Sequence, residues 1–92
     1  MTEARRSYII INQRGLHARA SAKFVNAVSQ LPEGCDVKIA KDGNEAAGGS
    51  ILGLMMLGAA KGDTIELIVA GDNHGAVLEE LGAIIADGFG EE

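Results

Sequence analysis

The chain has 92 residues, which fits a single domain spanning 1–92, and at 47% apolar it can build one core despite having only three aromatic residues, Tyr8, Phe24 and Phe89. The net charge of −5 argues against nucleic acid as a partner, and the lone Cys35 excludes an internal disulfide framework or a cysteine-rich metal site. No apolar run reaches the length of a signal-peptide core or a membrane span, so neither membrane insertion nor export is expected, and a cytoplasmic protein is the default.

Residues 7–12, "SYIIIN", predict a first strand from their β-branched run, broken by "QRG" at 13–15. From Ala18 to Gln30 the apolar residues Ala20, Phe24, Ala27 and Val28 recur at helical spacing, with Leu31 just beyond and Pro32 and Gly34 to stop the helix. "CDVKIAK" at 35–41 alternates, with Cys35, Val37 and Ile39 on one face. Asp42-Gly43 predicts a two-residue hairpin turn, because both positions tolerate positive φ, and Asn44–Ala47 should return from it as a strand. Ser50 is placed to cap a short helix, "ILGLMML", that Gly58 closes. Asp63–Ala70 predicts a strand with Ile65, Leu67 and Val69 inward. Asp72 is then expected to cap a last helix, with Val77, Leu78, Leu81, Ile84 and Ile85 on its apolar face and Gly88 as its stop.

The order β-α-β-β-α-β-α, with so tight a central hairpin, predicts an α+β fold. It is a two-layer open-faced sandwich, in which three helices cover one face of a four-stranded antiparallel sheet and the other face is open to solvent.

The segment "NQRGLHARASAKF", 12–24, concentrates the chemistry. His17 falls at the mouth of the first helix, where unpaired N–H groups and the helix dipole favour an anion. Residues 1–32 carry five cations against Glu3 alone, whereas the remainder is strongly acidic, so His17 lies in a basic region of an acidic chain. Neutral imidazole is a nucleophile near physiological pH. A phosphoryl group on the ring could take the first-turn N–H bonds, with Arg19 and Arg14 adding charge-assisted ones. No second acid, base or metal-ligand cluster accompanies it, so no metal or cofactor is expected. His74 reads as a surface residue and Cys35 as a buried strand residue. Met55 and Met56 read as filler of the core and of a docking surface, one of them exposed.

"GLHARASAKFV" and "GGSILGLMMLGAAKGD", at this spacing, resemble the HPr/NPr family of histidine phosphocarriers of the bacterial phosphoenolpyruvate-dependent phosphotransferase system. Many members have Pro after the active-site arginine, where this chain has Ala20. The resemblance implies a monomeric relay rather than an enzyme with its own turnover. His17, at ring Nδ1, would accept a phosphoryl group from phospho-enzyme I with the help of Arg19 and pass it to IIA domains serving sugar transport. It also implies that Ser50 is a regulatory site for an HPr kinase/phosphorylase, and that Leu16, Ala20, Ile51, Leu52, Leu54 and Met55 form the partner-docking surface. The alternative within this resemblance is a regulatory binding module that does not drive sugar uptake, serving a nitrogen-related relay or switched through Ser50.

Overall fold

A computed structural model describes residues 3–91. Its strands are β1 (Glu3–Ile9), β2 (Cys35–Lys41), β3 (Asn44–Ala47) and β4 (Thr64–Gly71); its helices are α1 (Ala18–Ser29), α2 (Ile51–Met56) and α3 (His74–Ala86), followed by a 3-10 turn, Gly88–Gly90.

The central hairpin forms as its turn chemistry dictates. Asp42 and Gly43 both take positive φ, 52° and 85°, which matches the twist of the strands they join, and Lys41 faces Asn44 across the turn. The sheet order is β1-β4-β2-β3 with every pairing antiparallel. β4 is therefore an interior strand, and its alternation puts Ile65, Leu67 and Val69 against the helices. With Val37 and Ile39 of β2 they meet Phe24 of α1, Leu54 of α2, and Leu81 and Ile85 of α3 in one continuous core. All of this agrees with the expected two-layer sandwich.

Four details differ from the sequence reading. The first strand pairs over Glu3–Ile9 rather than 7–12, because β4 starts at Thr64, opposite Ile9, and beyond that point Ile10 bonds only the turn before β4, its N–H donating to Asp63 O at 2.9 Å and its carbonyl accepting from Gly62 N–H at 2.8 Å. The Ile run keeps its alternation after leaving the ladder: Ile10 and Asn12 are buried while Ile9 and Ile11 are exposed. Arg5 and Arg6 hid the true strand, since on an edge strand they pair sideways with Glu66 and Glu79. Second, the open face is not wholly open. Ile68 lies on it between Arg5 and Lys38 in register, whose aliphatic stems flank it, and is only 5% exposed.

Third, Asp72 does not cap α3. β4 runs one residue further than expected, to Gly71, the Asp72 N–H donates to the Gly34 carbonyl at 3.2 Å, and the cap position falls one residue later, to Asn73, whose side chain makes no cap bond. Fourth, the chain does not simply end after α3. Gly88 stops the helix as expected, and the 3-10 turn then returns Phe89 to the core at 2% exposure.

Among the described residues, no helix is long and apolar enough to cross a membrane, and no group of three or more His, Cys, Asp or Glu side chains could hold a metal ion.

Candidate functional site

The loop before α1 is built to present one side chain. Gly15 has φ +60°, and a Cβ built there would fall on the carbonyl oxygen of Ala59, so only glycine lets the loop lie against the segment after α2. The Gly15 N–H donates to the Asn12 carbonyl at 3.2 Å, closing a turn, and the Leu16 N–H donates to Ala59 O at 3.0 Å. Leu16 inserts its side chain into the core, and its carbonyl accepts from the buried Ser21 hydroxyl at 3.2 Å. The next residue, His17, is thereby fixed at the N-cap of α1 in extended backbone geometry, where its carbonyl accepts the first helical bond from Ser21 N–H at 2.9 Å.

The ring is held at both nitrogens. Nδ1 accepts from the Arg19 backbone N–H at 3.3 Å, as the capping side chain of the helix. Nε2 lies 2.9 and 2.8 Å from the two carboxylate oxygens of Glu91. A backbone N–H cannot accept and a carboxylate cannot donate, so this pattern places the proton of the neutral ring on Nε2 and the free lone pair on Nδ1. Both side chains are 17% exposed. Glu91 is anchored in turn by buried Asn12, whose Nδ2 donates to Glu91 Oε1 at 2.9 Å and to Gly15 O at 2.8 Å. The hydrogen bond with the His17 ring, and then that from Asn12, hold the Glu91 carboxyl below the usual carboxylate range.

Arg14, Arg19 and Lys23 line a hollow that Glu91 and Phe89 share. None of the three cations makes an ion pair among the described residues. The basic region seen in the sequence thus divides in two: these three face the site, while Arg5 and Arg6 are engaged on β1.

Ser50 caps α2, its hydroxyl accepting from Gly53 N–H at 2.9 Å. Around it the expected docking residues separate. Ile51, Leu52 and Met55 are exposed at 41, 68 and 41%, whereas Leu16, Ala20 and Leu54 are in the core and offer no surface to a partner. A docking role for those three is corrected to one of support: they lie on the inner faces of α1, α2 and the loop, where periodicity alone marks them as apolar without telling inside from out. Met56, at 77%, completes the exposed set. His74 is not a free surface residue, since its Nδ1 bonds Gly71 O at 3.1 Å, and Cys35 is half-buried, with its thiol donating to Asp72 O.

The fold and this histidine-centred helix mouth are those of a phosphoryl carrier. Residues 4–87 match the family described as "PTS HPr component phosphorylation site". The chain is 44% identical over 87 residues to the phosphocarrier protein HPr of Neisseria meningitidis serogroup A, covering 95% of this chain and 96% of that one. It is 42% identical to HPr of Cupriavidus necator over 90 residues, covering 94% of each. Among solved structures it superposes on HPr-C-His from Thermoanaerobacter tengcongensis with a TM-score of 0.88 at 32% identity, covering 97% and 98% of the two chains. The chain belongs to the HPr family of phosphocarriers of the phosphotransferase system. The family match stops at residue 87, short of Phe89 and Glu91. Those two and Asn12 are the site residues that sequence reasoning missed. The traces they leave are a lone aromatic bracketed by Gly88 and Gly90, and a polar residue ending an isoleucine run.

Proposed function

We propose that His17 is the phosphoryl acceptor, through Nδ1, and that it relays the group between phospho-enzyme I and IIA domains. The observation that carries this reading is the ring's two-sided fixation, which leaves the lone pair on Nδ1 at the mouth of α1. In the step, the Nδ1 lone pair attacks phosphorus, the new N–P bond forms and the donor's bond to phosphorus breaks. The hydrogen bond from the Arg19 N–H then shifts from Nδ1 to a phosphoryl oxygen, and the Arg19 and Arg14 guanidinium groups, which make no ion pair among the described residues, are available for the remaining charge. An N–P bond is labile, so the group is handed on.

Partner binding is assigned to the exposed apolar surface of α2, formed by Ile51, Leu52, Met55 and Met56. Four large apolar side chains on a six-residue helix serve no purpose in the core. Ser50 borders this surface, so a phosphate placed there by an HPr kinase/phosphorylase would set a dianion against the docking face and weaken engagement.

The test is incubation with enzyme I and labelled phosphoenolpyruvate, wild type beside His17→Ala. Acid-labile label on the wild type that disappears in the variant is the expected result. Label surviving in His17→Ala would refute the assignment.

A further inference from the structure

We infer that Glu91 is a positioning residue for the relay: its carboxylate keeps the proton of His17 on Nε2 and balances the positive charge the ring carries while it holds the phosphoryl group. This rests on the reading of His17 as acceptor. It goes beyond the family match, which ends before this residue.

The contact is built, not incidental. Phe89 is buried at 2% although its φ of 59° is unfavourable for an aromatic residue, so burial of the ring holds the tail in a conformation it would otherwise leave. The Glu91 N–H donates to Gly88 O at 3.0 Å, which fixes the backbone from which the carboxylate reaches His17. Asn12, itself buried, grips both that carboxylate and the His17 loop through one amide. The other charged groups bordering Glu91 are Arg14 from the loop and Arg19 and Lys23 from α1, all cations that cannot accept the Nε2 proton. Glu91 alone can.

The electron count shows what this is for. Attack by Nδ1 leaves the Nε2 proton in place, so the ring becomes a phosphoimidazolium, formally positive, with the carboxylate 2.8 Å from its charge-bearing N–H. On transfer to the acceptor the N–P electron pair returns to Nδ1, and the leaving group is neutral imidazole. No proton moves in either direction. Were the Nε2 proton lost from the phosphorylated ring, the leaving group would be imidazolate, a far poorer one. The same logic, a carboxylate fixing a tautomer and steadying an imidazolium, underlies the acid–histidine pair of serine hydrolases.

The experiment compares wild type, Glu91→Ala, Glu91→Gln and His17→Ala in two readouts. These are the 15N resonances of the His17 ring, taken well above its own titration, and the rate of phosphoryl transfer from enzyme I and onward to a IIA domain. The wild-type ring should be protonated at Nε2. Glu91→Ala should mix the tautomers and slow the relay by on the order of tenfold or more, in line with the loss of partners that orient a functional histidine elsewhere. Glu91→Gln keeps an acceptor oxygen but no charge, so it should restore the tautomer without restoring the rate, which no merely structural role would produce. An unchanged tautomer or an unchanged rate in Glu91→Ala, with His17→Ala still unlabelled, would overturn the role of Glu91 and leave the acceptor reading standing. A wild type that takes no label on His17 would overturn both.

Discussion

Phe89→Ala tests whether the tail after α3 is part of the folded domain and of the site. A buried phenylalanine removes about 150–250 Å² from water, worth ~4–6 kcal/mol at ~25 cal/mol/Å², and Phe→Ala substitutions in cores cost about 3–5 kcal/mol. Alanine at φ 59° bears the same left-handed penalty, so no relief of strain offsets the loss. The expected cost is about 3 kcal/mol, the low end of that range, because a tail can undock rather than leave a sealed cavity. Against a total of about 5–14 kcal/mol for 92 residues the domain stays folded at neutral pH. In urea, with m about 1–2 kcal/mol/M, the midpoint should fall by about 1.5–3 M. The His17 ring should lose its Nε2 partner in the same variant, because Glu91 lies two residues beyond Phe89. A loss under about 1 kcal/mol, the size of an ordinary surface substitution, would mean that Phe89 does not hold the tail, and the reasoning would fail.

Gly15→Ala must shift the loop away from Ala59 and bear a left-handed cost of about 1–2 kcal/mol, so its melting temperature should drop and its labelling by enzyme I should slow; full stability would contradict the close approach. Ser50→Asp keeps an acceptor at a cap position where Asp is as good as Ser, so stability should change by less than about 0.5 kcal/mol while transfer from enzyme I slows; transfer at the wild-type rate would remove the electrostatic account of the docking face. Because the folded-state value of Glu91 is depressed, its contribution to stability is complete above the carboxylate's unfolded value of ~4.3 and is lost as pH falls through the folded value. The stability gap between wild type and Glu91→Gln, followed by urea unfolding, should therefore close on acidification below that point; a gap that widened would reverse the sign.

Local rules made most of the fold legible. The Asp42-Gly43 turn, the alternation of Val37 and Ile39, and the caps at His17 and Ser50 each depend on neighbours in sequence, and each is found as read. What escaped depends on partners far along the chain. Strand β1 ends opposite the first residue of β4, β4 runs on to Gly71 so that the α3 cap falls on Asn73 rather than Asp72, and Leu54 turns inward while Met55 turns out. His17 was readable because its chemistry is local to a helix mouth. Glu91 was not, since 74 residues separate it from the ring it touches and only the burial of Phe89 brings it there.

The most direct test of the central claim is heteronuclear NMR of the ring after phosphorylation by enzyme I, with the carrier labelled by 15N. Long-range couplings should place phosphorus on Nδ1 of His17 with the proton still on Nε2. Phosphorus on Nε2, or on any residue other than His17, would contradict it.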